Sequence, residues 1–245
     1  LTTRRDLDSF FYPSLDNLSD PFLLVEMDQA VARLARAVSR GERVAIHGDF
    51  DVDGITGCAV LQELLRELTI DGSRARALPA FIPDRATDGY GVAARMIREW
   101  AAAGVSLLLT VDTGSAAHAE LTLARDLGID VIVLDHHIFE ERPCAVALVN
   151  PPRPDAQYPN ADLCGVAVAF KLAQAMKRSR PDSLPDGFLN TLMDLVALGL
   201  VADQMPLVGE NRILVRKGLE RLADRSCVRP GVAALLRIAG LDRGF

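Results

Sequence analysis

The run His47-Gly48-Asp49-Phe50-Asp51-Val52-Asp53-Gly54, directly after the apolar stretch Val44-Ala45-Ile46, limits what this chain can become. The apolar stretch reads as the end of a buried strand. Successive strand side chains face opposite ways, so residues two apart share a face. If the extended backbone continues, His47, Asp49, Asp51 and Asp53 all project the same way. Three carboxylates and an imidazole on one face repel each other and make poor core. Divalent cations among them relieve the repulsion. Gly54 and Thr56 then open a helix over 55–68, whose positive N-terminal end can face an anion. A solvated acidic turn capping a helix is the simpler reading; four ligand-type residues at alternate positions weigh against it.

The rest of the chain alternates strand and helix. Ser19 or Asp20 before Pro21 reads as a capped helical start, and a helix over 27–39 is closed by Gly41. Strands are expected at 43–47, 75–82, 106–111, 130–134 and 145–149, with helices at 93–103 and 116–127. Leu107-Leu108-Leu109-Thr110-Val111 and Val131-Ile132-Val133-Leu134 are apolar on both faces, as central parallel strands are. This pattern predicts a doubly wound α/β fold with a mainly parallel sheet of about five strands. A Pro-rich surface connection over 150–159 leads to helices at 163–178, 187–201, 211–223 and 231–239. The expected division is a helical lead-in over 1–40, an α/β domain over 41–205, and a helical segment over 206–245.

Hydrophobic residues make up 49% of the chain, enough for a substantial core, and no apolar run is long enough to cross a membrane. The start, Leu1-Thr2-Thr3-Arg4-Arg5, is not a secretory signal. Cys58, Cys144, Cys164 and Cys227 form no C-x-x-C pair and read as reduced thiols of a cytoplasmic protein. A net charge of −6 argues against a protein that coats nucleic acid. It leaves room for a nucleic-acid enzyme, because clustered metal-binding acids lower the total.

In open parallel sheets, ligands bind beyond the carboxyl ends of the strands. The first strand ends in the acidic run, the third in Asp112-Thr113-Gly114-Ser115, and the fourth in Asp135-His136-His137. All three are expected on one edge, delivering acids and imidazoles to one crevice. Asp112 alone would read as an ordinary helix cap, and Gly114-Ser115 as a turn and helix N-terminus suited to phosphate. Three of the four histidines lie in these runs; His118, the other, reads as a surface residue or as one that supports the ligands from behind. Adjacent His136 and His137 point different ways and so do different jobs. Asp203 ends the apolar run 195–202, where an acid is costly unless paired or metal-bound. Asp194, at the other end, could be solvated, so Asp203 is the preferred ligand.

In this order and with these gaps, the three runs resemble the first three motifs of the DHH phosphoesterases. Within that superfamily the chain is similar to the catalytic core of the RecJ group of single-stranded-DNA-specific exonucleases. The narrower resemblance rests on Arg85 with Gly89-Tyr90-Gly91, on 164–172, on 194–207, and on Glu210-Asn211-Arg212 followed by 214–219. It covers roughly residues 40–220. Thr113 stands where the family often has cysteine. The resemblance implies two divalent cations, with Mn2+ preferred and Mg2+ feasible. His47 and Asp51 would hold one and Asp53 the other; Asp112 would bridge them, and His136 and Asp203 would complete the shells. Asp135 would orient an imidazole, His137 would contact the scissile phosphate, and Asp49 would sit outside the ligand set. Asp112, Asp135, His136 and His137 form the expected catalytic group.

Substrate contacts are expected from Arg85 on phosphate, Tyr90 on a base, and Gly114, Ser115 and Lys171, with Arg212 and Arg216 near the rim. The implied reaction is two-metal hydrolysis of single-stranded DNA, 5′ to 3′, releasing 5′-mononucleotides in DNA repair and recombination. The implied state is a monomer without membrane contact, partnered by a single-stranded-DNA-binding protein and a helicase. Alternatives are a phosphodiesterase acting on short oligonucleotides or cyclic dinucleotides, and a metal-free replication scaffold. RecJ proteins continue into a second domain and an oligonucleotide-binding module, so the segment 206–245 is expected to lead toward a domain outside this chain.

Overall fold

Apolar strands with no polar alternation must be covered on both faces, and the architecture follows from that demand. A computed structural model of the chain describes residues 10–224, 226 and 228–241. Strands β1 (Arg43–Gly48), β2 (Arg76–Ala77), β3 (Val105–Val111), β4 (Asp130–Leu134) and β5 (Ala147–Val149) form one sheet in the order β2-β1-β3-β4-β5. Every neighbouring pair is parallel. Among the described residues, helices with defined bounds include α1 (Met27–Ser39), α2 (Val52–Glu67), α3 (Ala94–Ala102), α4 (His118–Asp126), α5 (Gly165–Ser179), α6 (Met193–Ala202), α7 (Gly209–Ala223) and α8 (Pro230–Ile238).

Alternate strand residues feed two separate apolar clusters. Val44, Ile46, Leu107, Leu109, Ile132 and Leu134 pack with α1, α2, α5 and α6. Ala45, Leu108, Val131, Val133 and Leu148 pack with Ile97 and Trp100 of α3 and Leu121 and Ala124 of α4. The sheet is therefore doubly wound. From β1 the chain moves outward to β2 and then crosses back to β3 on the other side. This places the topological switch, where open sheets bind ligands, at the carboxyl ends of β1 and β3. At the opposite edge Arg33, only 5% exposed, ties the strand starts together, donating to Asp130 Oδ2 at 2.5 Å and Glu42 Oε2 at 2.8 Å.

Several boundaries differ from the sequence expectations, each for a local reason. Of the strand expected over 75–82 only β2 and a bridge between His47 and Phe81 form. Pro79 has no N–H to donate, and the Ala80 N–H goes to Gln62 Oε1 at 3.1 Å. The helix expected at 55 begins at Val52, because Asp51 caps it by accepting the Gly54 N–H at 3.0 Å. The helix expected at 116 begins at His118. The stretch expected as one helix over 187–201 is a 3-10 turn (Phe188–Leu192) followed by α6. Pro21 opens only a 3-10 turn, Pro21–Leu23, with Asp20 accepting the Phe22 N–H at 3.1 Å. Among the described residues no helix is long and apolar enough to cross a membrane.

Candidate metal centre and substrate cleft

β1 ends at Gly48, and the chain folds back over the first turn of α2. A Cβ on Gly54 would strike the Asp49 backbone, so glycine is what lets residue 49 sit there. Asp51 spends one oxygen on the α2 cap. Asp53, in the first turn of α2 and 1% exposed, points the other way, toward α5. Its Oδ2 accepts the Gly165 N–H at 2.5 Å and its Oδ1 the Val166 N–H at 2.9 Å. The N-terminus of α5 thus holds this carboxylate through two backbone donors and the helix dipole.

Asp112 follows β3 with φ +58, a left-handed conformation that aspartate tolerates better than most residues. The α5 N-terminus presses against it: a Cβ on Gly165 would lie 2.6 Å from the Asp112 Cβ. Asp112 Oδ1 lies 3.1 Å from His136 Nε2. That nitrogen is also 3.6 Å from Asp203 Oδ2 and 3.9 Å from Asp53 Oδ2. Burial, reinforced by the charges of Asp53, Asp51 and Asp135, pushes the Asp112 carboxyl up to about 10. Burial and Asp51 raise Asp49 as well, and burial with the nearby Asp53 raises Asp203.

Asp135 behaves oppositely. Burial works against its charge, but its hydrogen bonds more than offset that and hold it below the usual carboxylate range. Its Oδ1 accepts from the His136 N–H at 2.7 Å, the His137 N–H at 3.2 Å and His137 Nδ1 at 2.8 Å; its Oδ2 accepts the Ser115 N–H at 2.9 Å. The Asp135 hydrogen bond raises His137, favouring the imidazolium. Asn150 closes the cage, donating from Nδ2 to Ser115 Oγ at 3.0 Å and to the His137 carbonyl at 2.9 Å.

The chemistry of the donor set can be tested on its orphans. Asp49 Oδ1, Asp112 Oδ2 and Asp203 Oδ2 are buried and have no hydrogen-bond partner. Buried acceptors are almost always satisfied, and here Asp112 has one unsatisfied oxygen, its neighbour Asp49 a second, and Asp203, across His136 Nε2, a third. Ligand atoms of Asp49, Asp51 and Asp112 lie within 4.8 Å of one another, as do those of Asp112, His136 and His137, and those of Asp53, Cys164 and Asp203. Carboxylate oxygens with one or two imidazoles fit hard to borderline divalent cations such as Mg2+ and Mn2+.

Four expected roles do not match this geometry. His47 is buried on the α3 side of the sheet, edge-on to Phe81 and Trp100. Its Nδ1 hydrogen-bonds the Gly48 carbonyl at 2.9 Å and its Nε2 accepts the Ala93 N–H at 3.0 Å. With both nitrogens taken by backbone, and burial holding it down to about 4, it is a neutral core histidine outside the cation group. Asp49, expected outside the ligand set, instead brings an orphaned oxygen to Asp51 and Asp112. Ser115 cannot cradle phosphate, because its amide serves Asp135 and its hydroxyl serves Asn150. Lys171 is 0% exposed and forms a buried ion pair with Glu210, also donating to the Ser19 carbonyl at 3.0 Å. It holds α5, α7 and the N-terminal segment together and does not reach substrate.

Gly114 lines the cleft but stands ahead of α4's first turn rather than within it. The remaining candidates lie elsewhere: His118 is exposed, Asp194 pairs with Arg229 at 3.0 Å, Arg212 donates to the Phe10 carbonyl at 2.8 Å, and Arg216 pairs with Glu220 at 2.9 Å.

An open cleft of about 360 Å³ runs beside the acids, lined among others by Asp49, Tyr90, Asp112, Thr113 and His137. Tyr90 is 70% exposed, and the Arg85 guanidinium lies 5.2 Å from its ring centroid and 5.4 Å from that of Phe50. A cation between two aromatic faces is suited to a strand that carries both phosphates and bases. Phe50, Asn150 and Cys164 went unassigned from sequence. Phe50 and Cys164 lie inside motifs and only their neighbours looked chemical, while Asn150 opens a Pro-rich stretch that reads as surface loop.

The family model "DHH family, N-terminal domain" matches residues 43–200. The single-stranded-DNA-specific exonuclease RecJ of Bacillus subtilis is 40% identical over 226 residues, 92% of this chain and 27% of that protein. A crystal structure of exonuclease RecJ bound to manganese aligns with TM-score 0.77 at 34% identity, over 93% of this chain and 54% of the other. RecJ of Thermus thermophilus in complex with Mn2+ aligns with TM-score 0.74 at 33% identity, over 97% of this chain and 32% of the other. The chain thus spans well under half the length of the curated relatives it matches. Strand ends that gather acids and imidazoles at the β1/β3 switch, under a family model reaching from β1 into α6, mean that this chain belongs to the DHH family.

Proposed function

We propose that this chain is the catalytic core of a single-stranded-DNA-specific exonuclease. It would hydrolyse phosphodiester bonds with two divalent cations, 5′ to 3′, and release 5′-mononucleotides. The observation that carries the reading is the trio of orphaned, buried carboxylate oxygens on Asp49, Asp112 and Asp203, the first two of these residues lining an open cleft. The likeness to RecJ structures holding manganese supports it. Asp49, Asp51 and Asp112 would hold one cation; Asp53, Asp112, His136 and Asp203 would hold the other. Mn2+ is preferred, with Mg2+ the alternative. Bound there, the cations supply water activation and neutralisation of phosphate charge.

The chain's own residues do the rest. Asp135 fixes the His137 ring through Nδ1 and favours its protonated form, so the imidazolium can donate to a phosphate oxygen as charge develops there. Arg85, Phe50 and Tyr90 hold the incoming strand by charge and stacking. Residues 41–205 form the catalytic unit and 206–245 its connection onward. The setting is cytoplasmic DNA repair and recombination, with a single-stranded-DNA-binding protein and a helicase as partners of a monomer.

Digestion of 5′-labelled single- and double-stranded DNA with Mn2+, beside an Asp112→Ala variant, tests the reading. Mononucleotides should come from the single strand alone, and the variant should fold but not cleave. Unchanged cleavage by the variant refutes the role of Asp112. Hydrolysis of a dinucleotide in preference to a long strand refutes the exonuclease.

A further inference from the structure

One ligand-type side chain at the centre has neither a cation nor a substrate role in the proposed mechanism: Cys164. Its Sγ and one carboxylate oxygen each of Asp53 and Asp203 lie within 4.8 Å of one another. Cys164 is fully buried at the N-terminal cap of α5, immediately before the Gly165 amide that holds Asp53. Two further observations mark the place as a ligand's. Asp112, 2% exposed and packed against this helix end, has an Oδ2 with no hydrogen-bond partner, and Asp203 Oδ2 is buried with no hydrogen bond either. His136 Nε2 adds an imidazole, 3.6 Å from Asp203 Oδ2 and 3.9 Å from Asp53 Oδ2.

A hard cation would use this set through its oxygens and leave the sulfur alone. A softer one prefers the thiolate and imidazole, in the four-coordinate arrangement typical of Cys, His and carboxylate zinc sites. We infer that Asp53, Cys164, Asp203 and His136 form a thiol-containing site for a soft divalent cation of the Zn2+ class, overlapping one of the two proposed catalytic positions. Zn2+ there excludes Mn2+ and so acts as an inhibitor built into the centre. The inference rests on the proposed function only for what the overlapped position normally does.

The binding step balances without redox change. The Cys164 S–H bond breaks heterolytically, a sulfur–metal bond forms, and the proton leaves to solvent. A thiol that coordinates a dipositive ion is deprotonated by it, so the cation's own charge drives this loss. Cys58 is buried against Gly48, and Cys144 sits beside Arg125 away from the acids, so neither competes for this cation.

Cd2+ titration followed by thiolate-to-metal charge-transfer absorption reads the sulfur directly. Wild-type protein should develop the band with a one-to-one endpoint, and Zn2+ should bleach it at far lower concentration than Mn2+. Cys164→Ala and the near-isosteric Cys164→Ser should both lose the band, while Cys144→Ala keeps it. Asp203→Asn should weaken Cd2+ binding by at least the roughly 10–100-fold that loss of an outer partner costs. A band that persists without Cys164, no band in wild type, or no effect of Asp203→Asn overturns the site. Mn2+ binding and single-strand cleavage by the same wild-type preparation separate the two claims. Cleavage without the band defeats only the thiol site; the band without cleavage defeats only the proposed function.

Discussion

Replacing Asp112 with asparagine should make the cation-free protein more stable while abolishing its chemistry. Burial and three neighbouring carboxylates push the Asp112 carboxyl up to about 10, whereas in the unfolded chain it ionises near ~3.9. An acid whose folded value is raised binds more protons folded than unfolded. Its penalty is therefore absent below the unfolded value and grows as pH rises toward the folded one. At pH 7 about three units of that window have been crossed, at about 1.4 kcal/mol each, so the penalty is roughly 4 kcal/mol. Asparagine has the same shape, accepts the φ of +58, and keeps an oxygen for His136, but does not ionise. In EDTA at pH 7, Asp112→Asn should gain up to about 4 kcal/mol, roughly 8–16 °C in Tm at this chain size. The gain should shrink toward zero near pH 4. With Mn2+ present the order should narrow or invert, since saturating the wild type a hundredfold above Kd adds about 2.7 kcal/mol that the variant forgoes. Thermal and urea unfolding from pH 4 to pH 8, with EDTA and with Mn2+, measures all of this. A variant less stable than wild type in EDTA at pH 7, or an advantage independent of pH, refutes the reasoning.

Other outcomes follow from the same contacts. Lys171→Met should destabilise the fold by roughly 3–5 kcal/mol by stranding Glu210, with KM for single-stranded DNA unmoved; adding Glu210→Gln should recover much of the stability, read by urea unfolding. Asn150→Ala releases the His137 carbonyl and Ser115 and should lower kcat about 10–100-fold with little change in KM, whereas a purely structural loss would lower the active fraction at unchanged kcat per active site.

The sheet was legible because buried parallel strands are continuous apolar runs, and because acids just after them fall on one edge whatever the register. Each failure has its own physical root. His47 was placed with the acids by extending the strand's alternation past Gly48, but β1 stops there and Asp51 starts α2. Within β1 the alternation holds, and it points His47 into the α3 side with Ala45, two residues earlier. The strand expected over 75–82 failed on Pro79, a breaker visible in the sequence and outweighed by its apolar neighbours. Lys171 reads as a free cation until α7 brings Glu210 to it from 39 residues away. Asn150 and Cys164 could not be found by period or composition, because each acts through a partner that only the folded sheet supplies.

The central claim is that carboxylates and an imidazole from separate strand ends and helices enclose a pair of divalent cations. Anomalous scattering from crystals grown in manganese measures this most directly. Two peaks should appear, one among Asp49, Asp51 and Asp112 and the other among Asp53, Asp112, His136 and Asp203, with His47 still bonded to backbone. Empty density among those oxygens, or manganese bound at His47 instead, would contradict the account.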